Sequence, residues 1–423
     1  MCRQSVTPCL VKLPALAGLA GLPLTERLVR LPDPRRPRGV RHPFVSVLLI
    51  AACAVLAGAR SYAAIGQWAA EAPQDTLTRL GARVATALAV RIPPSGATIR
   101  RVFSAACPGG LVDLLGTDPA GTDALAVDGK TARGSRRRAA PAAHLLAAMT
   151  RRGETVAQLR VPDKTNEIAC FTRLLSPYDL AGVVVTADAL HTQRGHVHFL
   201  HEKGARFLLV VKDNQPTLFK TLRSLPWKHV TARHADRDVG HGRRELRGVK
   251  ALTVTGFGVD FPGVVQAARI MRFRTDATTG WLTRKTIYAV TDLASKEASP
   301  QRLGQLARSH WGIENQLHHA RDRTFHEDDS KIRTRNLPRV MAGLRNHAIS
   351  TLRRAGHRNI AAASATSPTG PTPGRSTSSA CPDQQTHKIT RLCNSPVRSR
   401  QAEFSTEADC SAPCRPPTGR CWC

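Results

Sequence analysis

The sequence predicts an α/β protein in which a mixed sheet with crossover helices carries a β-rich insertion and follows a small all-helical domain. Three observations predict this. Apolar runs of strand length recur between Asp123 and Val211 with helical segments between them, the pattern of strands joined by crossovers. From Asn214 to Leu293 the apolar residues alternate and many are β-branched, as in antiparallel strands. Before residue 118 the segments read as helices punctuated by glycine, serine and proline.

Taken in order, residues 1–37 form an N-terminal arm ending in the Pro/Arg run LPDPRRPRG. Residues 38–118 form the helical domain. HPFVSVLLIAACAVLAGARSYAAIGQWAAEAP gives two helices broken near Gly58 and ended by Pro73, and Ser95 opens a third that places Arg100 beside Arg101. Whether this domain grips DNA or only packs on the core stays open. Residues 119–360 form the sheet domain. ALAVDGK, HLLAAMTRRG and TVAQLRVPDKT are three successive strands, and NEIACFTRLLSPYDL is a helix leading to the strand AGVVVTADAL. RGHVHFLHEKG is the next helix and ARFLLVVKDN the last strand, an element order of the RNase H kind. The insertion, at about 214–293, holds ELRGVKALTVT, VVQAARIMRFRT and WLTRKTIYAVTDL. A final helix opens at Ser299-Pro300 and carries His310, Glu314 and Arg321 close to one face.

Charge narrows the partner. Lys+Arg number 62 against 31 Asp+Glu, a net +31 borne almost wholly by residues 1–360, and so basic a body expects a polyanion such as DNA. Arginine enrichment from a GC-rich genome is the bland alternative. The 15-residue apolar run from Phe44 to Gly58 is shorter than the roughly 20 residues of a membrane span, so it reads as a buried helix. No secretory signal is visible, and Cys2, Cys9, Cys53, Cys107 and Cys170 lack metal spacing, which suggests a reducing, cytoplasmic setting.

Two buried strands end in an acid: ALAVDG at Asp128 and AGVVVTAD at Asp188. A solvated surface carboxylate is not expected there. If Glu314 converges with them, the three form a cage of hard oxygens suited to Mg²⁺, with two ions supporting phosphodiester chemistry. His191 and Gln193 lie beside Asp188, either within reach of the site or capping the turn. Lys130, Arg133 and Arg136 to Arg138 follow Asp128 as a basic edge for a DNA backbone, and Lys212 and Asn214 could bind the substrate strand. Trp311 reads as core, and HEDDS at 326–330 as a solvated turn or helix cap.

VDGKTARGSR, HLLAAMT, DKTNEI, VVTADALHTQ, FLLVVKDNQPTL, GHGRRELR, YAVTDL and HWGIENQLHHARDRTFHEDDSKIRTRNLPRVMAGLRN occur in that order from about Pro34 to Ala363. The chain thereby resembles the DDE transposases of bacterial insertion sequences, of the ISAs-one family. The resemblance implies an RNase H-like core with a β-rich insertion and an associated helical domain. It implies Mg²⁺-dependent cutting of double-stranded DNA at the element's terminal inverted repeats, joining of the freed 3′-hydroxyl to target DNA, and a homodimer bridging two ends. Mn²⁺ could substitute. By position, Asp128, Asp188 and Glu314 match the three metal-binding acids. The wider superfamily places a tyrosine, an arginine and a lysine around the glutamate; here those positions hold Ala307, His310 and Arg321. Arg321 keeps a positive charge that could hold a phosphate oxygen, with a surface salt bridge to Glu314 or Asp322 as its alternative. A non-catalytic DNA-binding remnant is the second reading of the chain. Residues 361–423, rich in Ser, Thr, Pro and Cys, read as a disordered tail, the family's helical end translated after a frameshift; the spacing of Cys410, Cys414, Cys421 and Cys423 does not make a common zinc site.

Overall fold

The computed structural model describes residue 19 and residues 22–365, except 39, 86–88, 139 and 241. Of the tail expected at 361–423, residues 361–365 belong to the last helix and are not disordered; the rest of it, its cysteines and most of the N-terminal arm lie outside the described residues.

Four helices come first: α1 (Leu24–Val29), α2 (Phe44–Leu56), α3 (Tyr62–Glu71) and α4 (Gln74–Arg79). Helix α2 is apolar around its whole circumference and buried on nearly every residue, as a helix enclosed by protein must be. Gly58, at φ +97°, ends this segment in the left-handed region that glycine tolerates. Ser61 caps α3, accepting from the Ala64 N–H at 3.1 Å. A short antiparallel ribbon of β1 (Arg83–Ala85) and β2 (Val90–Ile92) follows, so this part is not all-helical as expected. Helices α5 (Gly96–Ala105), capped by Ser95, and α6 (Pro108–Leu115) complete it.

The sheet then begins with β3 (Ala124–Ala132), β4 (Ala143–Thr150) and β5 (Thr155–Val161), an antiparallel meander. Helix α7 (Ile168–Leu175) crosses to β6 (Val184–Ala187), which pairs parallel with β3. Helix α8 (Arg194–Glu202) crosses to β7 (Arg206–Val211), parallel with β6, and α9 (Pro216–Ser224) follows. The order β5-β4-β3-β6-β7 is the RNase H-like arrangement.

The insertion holds four strands where the sequence suggested three: β8 (Arg233–Gly240), β9 (Arg243–Thr253), β10 (Gln266–Asp276) and β11 (Leu282–Thr291). The extra strand, RHADRDVG, lacks apolar alternation because it is the exposed edge, where charge discourages further pairing. β11 pairs antiparallel with β7, so the insertion continues the same sheet to nine strands.

Helix α10 (Pro300–Gly312) is capped by the Ser299 hydroxyl and covers one sheet face with Leu303, Leu306 and Ala307. A π-helical segment, Ile313–His318, leads into α11 (His319–Arg323), α12 (Leu337–Arg354) and α13 (Ile360–Ala365). The opposite sheet face packs on α7, α8 and α9. One apolar core joins α2, α3, α5 and α6 to the π segment and α12, so the N-terminal helices do pack on the body. Among the described residues no helix is long and apolar enough to cross a membrane.

Candidate active site

The parallel pair β3 and β6 sets the first two acids side by side. Their register ends on Val127 opposite Ala187, and Asp128 and Asp188 are the next residues of the two strands. Asp188 therefore follows the end of β6, whereas Asp128 lies within β3, which runs on to Ala132 and does not end at the acid as expected; the two stand on adjacent strands, roughly 4.8 Å apart as neighbouring strands are. The Asp188 carboxylate accepts from the Leu190 N–H at 3.0 Å, fixing the turn that ends the strand. Glu314 reaches the same cleft from the π segment. A widened helical turn recurs where a helix must present a functional side chain out of α-phase.

The cleft has a volume of about 500 Å³, and Asp128, Asp188 and Glu314 are among its lining residues. Asp128 shows what their proximity does. Burial, aided by the charges of Glu167, Glu314 and Asp188 and opposed by the Gly129 N–H, pushes its carboxyl up to about 7. His318 Nδ1 lies 3.4 Å from Asp128 Oδ2; burial and then Arg321 and Lys130 lower its pKa to about 3, so it brings no charge to offset the acids. Crowded carboxylate oxygens of this kind suit a hard divalent cation. Among the described residues, however, no three His, Cys, Asp or Glu side chains are gathered closely enough to hold one.

Residues 119–350 match the family described as "Transposase DDE domain", and residues 25–116 match "DDE_Tnp_1-associated". The chain belongs to the DDE transposases. It is 28% identical over 352 residues to the H repeat-associated putative transposase YhhI of Escherichia coli strain K12, covering 78% of this chain and 90% of that one. It is 27% identical over 359 residues to the putative transposase YncI of Escherichia coli O157:H7, covering 78% and 87%. The solved piggyBac transposase synaptic complex with hairpin DNA aligns over 88% of this chain and 77% of that chain, at 8% identity and a TM-score of 0.38. The chain is a transposase of the insertion-sequence type, its partner is DNA, and its family generally uses a divalent metal.

Five cations line the same cleft of the transposase. Lys212 directly follows β7, Arg247, Arg272 and Lys285 come from β9, β10 and β11, and Arg308 from α10. Arg272 sits directly opposite both Arg247 and Lys285 in register, a row of like charges that is unfavourable unless an anion meets it. Glu245, which pairs with Arg247 and Arg272, offsets only part of the row. The sequence reading missed Arg247, Arg272, Lys285 and Arg308; the signal available was arginine and lysine at alternate positions of the insertion strands.

Several residues expected at the DNA are instead committed inside. Lys130 is buried between Asp322 at 2.7 Å and Asp328 at 3.6 Å. His191 is fully buried, with Nε2 donating to Glu167 at 3.2 Å. His310 is buried as well, and burial holds its imidazole down at about 4 despite nearby Asp188. Arg321 is placed neither on the cleft lining nor in a surface salt bridge. It is fully buried and forms a two-pronged pair with Glu327 at 2.9 and 2.6 Å, while Arg345 meets Glu327 at 3.1 Å. The π segment between Glu314 and Arg321 shifts the helix phase, which turns Arg321 inward. Glu327, within the stretch read as a solvated turn, is a buried anion.

Others are placed at or beside the cleft. Lys212 is exposed on its wall. Arg133 is 81% exposed, with one long contact to Asp328 at 3.8 Å. Asn214 donates to the Ala189 carbonyl at 2.7 Å and Gln193 to the Leu190 carbonyl at 3.0 Å, so both brace the turn after Asp188. Trp311 lines the cleft while packing against the α10 core.

Proposed function

We propose that Asp128, Asp188 and Glu314 hold two Mg²⁺ ions, replaceable by Mn²⁺, and that the transposase cuts DNA at the ends of its element and joins the freed 3′-hydroxyl to target DNA. The observation that carries this reading is one cleft lined by three carboxylates and five cations. Bound divalent ions would activate the attacking oxygen and neutralise charge at phosphorus. The chain supplies the rest. Lys212, Arg247, Arg272, Lys285 and Arg308 hold the phosphate backbone against the acids, with Arg133 extending the track. His310, uncharged, lines the cleft without competing for the phosphate. Glu314, exposed on its π turn, is free to close on Asp128 and Asp188 when DNA enters. Double-stranded terminal inverted repeats as substrate, and a homodimer bridging two of them, follow from the family resemblance.

Incubating the full chain with DNA bearing the element's ends and Mg²⁺ tests this. Cutting and joining should occur, and Asp188→Ala should lower both by at least about a thousandfold, the loss of several kcal/mol of transition-state stabilisation. Binding without cutting by the unaltered chain would favour the DNA-binding remnant.

A further inference from the structure

One half-buried polar cluster touches the supports of both aspartates. Glu167, the acid of the DKTNEI block, directly precedes α7, and its side chain is 15% exposed. Its Oε1 accepts from His144 Nε2 at 2.6 Å and its Oε2 from His191 Nε2 at 3.2 Å. Burial pulls the Glu167 carboxyl upward, but these two donors outweigh it and hold the group ionised, at about 2.

Each histidine leads to one aspartate. His144, on β4, stands opposite Thr131 of β3, whose hydroxyl donates to His144 Nδ1 at 2.8 Å. His191 closes the turn begun by Asp188, and its backbone N–H donates to the Asp188 carbonyl at 3.1 Å. Gly129 adds a third contact. It follows Asp128 directly, and a Cβ there would overlap the Glu167 carboxylate, so strand β3 and Glu167 are in touch beside the acid. His196 braces the assembly from behind, stacked on Phe171 with ring centroids 4.2 Å apart and hydrogen-bonded to the His191 carbonyl at 3.0 Å.

We propose that Glu167 is a positioning residue which, through His144 and His191, fixes the spacing of Asp128 and Asp188 so that the two share a divalent cation. A carboxylate is required because both partners donate; a glutamine would set its amide against an N–H donor. Outer groups that orient metal ligands act in this way, and their loss weakens metal binding. The inference rests on the metal-binding reading above.

Mn²⁺ titrated into the full chain and followed by electron paramagnetic resonance tests it, with metal-free thermal unfolding measured on each variant. The unaltered chain should bind Mn²⁺ saturably and Asp188→Ala should not. Glu167→Gln and Glu167→Ala should weaken binding by about 10- to 100-fold while still unfolding cooperatively. If both Glu167 variants fail to fold, His144→Phe decides, since it cuts only the more exposed link; a several-fold loss of affinity supports the proposal and an unchanged affinity overturns it. Folded Glu167 variants with unaltered affinity, alongside a defective Asp188→Ala, overturn this proposal alone. An unaltered chain that binds no Mn²⁺ overturns the metal-site reading and this proposal together.

Discussion

Arg321 shows how far a residue's surroundings decide its work. Its position relative to Glu314 suggests a phosphate ligand, yet it is locked with Arg345 around Glu327 in the interior. Burial alone would raise the Glu327 carboxyl, but the two guanidiniums overcome this and hold it at about 2, below its ordinary 4.5. A depressed carboxyl stabilises the fold above its unfolded pKa, and that stabilisation is lost as pH falls from about 4.5 through about 2. Glu327→Gln leaves two buried cations without their anion and should cost about 3–5 kcal/mol at neutral pH. Urea unfolding of both proteins should show this difference shrinking between pH 5 and pH 2. A constant difference would mean that the pair contributes nothing through its charge. Arg345 also donates to the Arg60 carbonyl at 3.2 Å, so the same anion ties α12 to the N-terminal helices.

Among the elements, the strands were legible and the last helix only in part. Asp128 and Asp188 could be read because an apolar run closed by an acid has few structural explanations, and the parallel register of β3 and β6 does bring them together. Glu314 is expected at the site through its HWGIENQLHH block and lines the cleft, but its π turn is invisible to sequence, since counting at helical spacing presumes 3.6 residues per turn. Lys130 alternates correctly to share a face with Asp128; its partners Asp322 and Asp328 lie nearly two hundred residues away, beyond any local pattern. The insertion strands were read as strands without their charge row, which depends on pairing register and not on sequence distance. That row makes its own prediction. Lys212 and Lys285 are exposed on the cleft wall, so the double variant Lys212→Ala/Lys285→Ala should bind DNA more weakly at low salt. The slope of log affinity against log salt should fall by about 1.8. An unchanged slope in filter binding would remove the basic wall from the DNA path.

Across the whole molecule, the N-terminal helices and α12 form one core that meets the sheet near Ala126, Ala147 and Met149. The π segment belongs to that core through Ile313 and Leu317, which places Glu314 where helical body and sheet meet. The nine-stranded sheet puts the acids at its middle and the basic ribbon along one side, so DNA lying across the ribbon would bring a phosphate to the three carboxylates. The central claim is that those carboxylates form one metal site. Its most direct test is anomalous diffraction from crystals of the full chain grown with an element-end DNA and Mn²⁺. The account predicts anomalous peaks within bonding distance of Asp128 and Asp188, with Glu314 drawn in beside them. Bound DNA with Mn²⁺ located elsewhere, or touching none of the three, would contradict it.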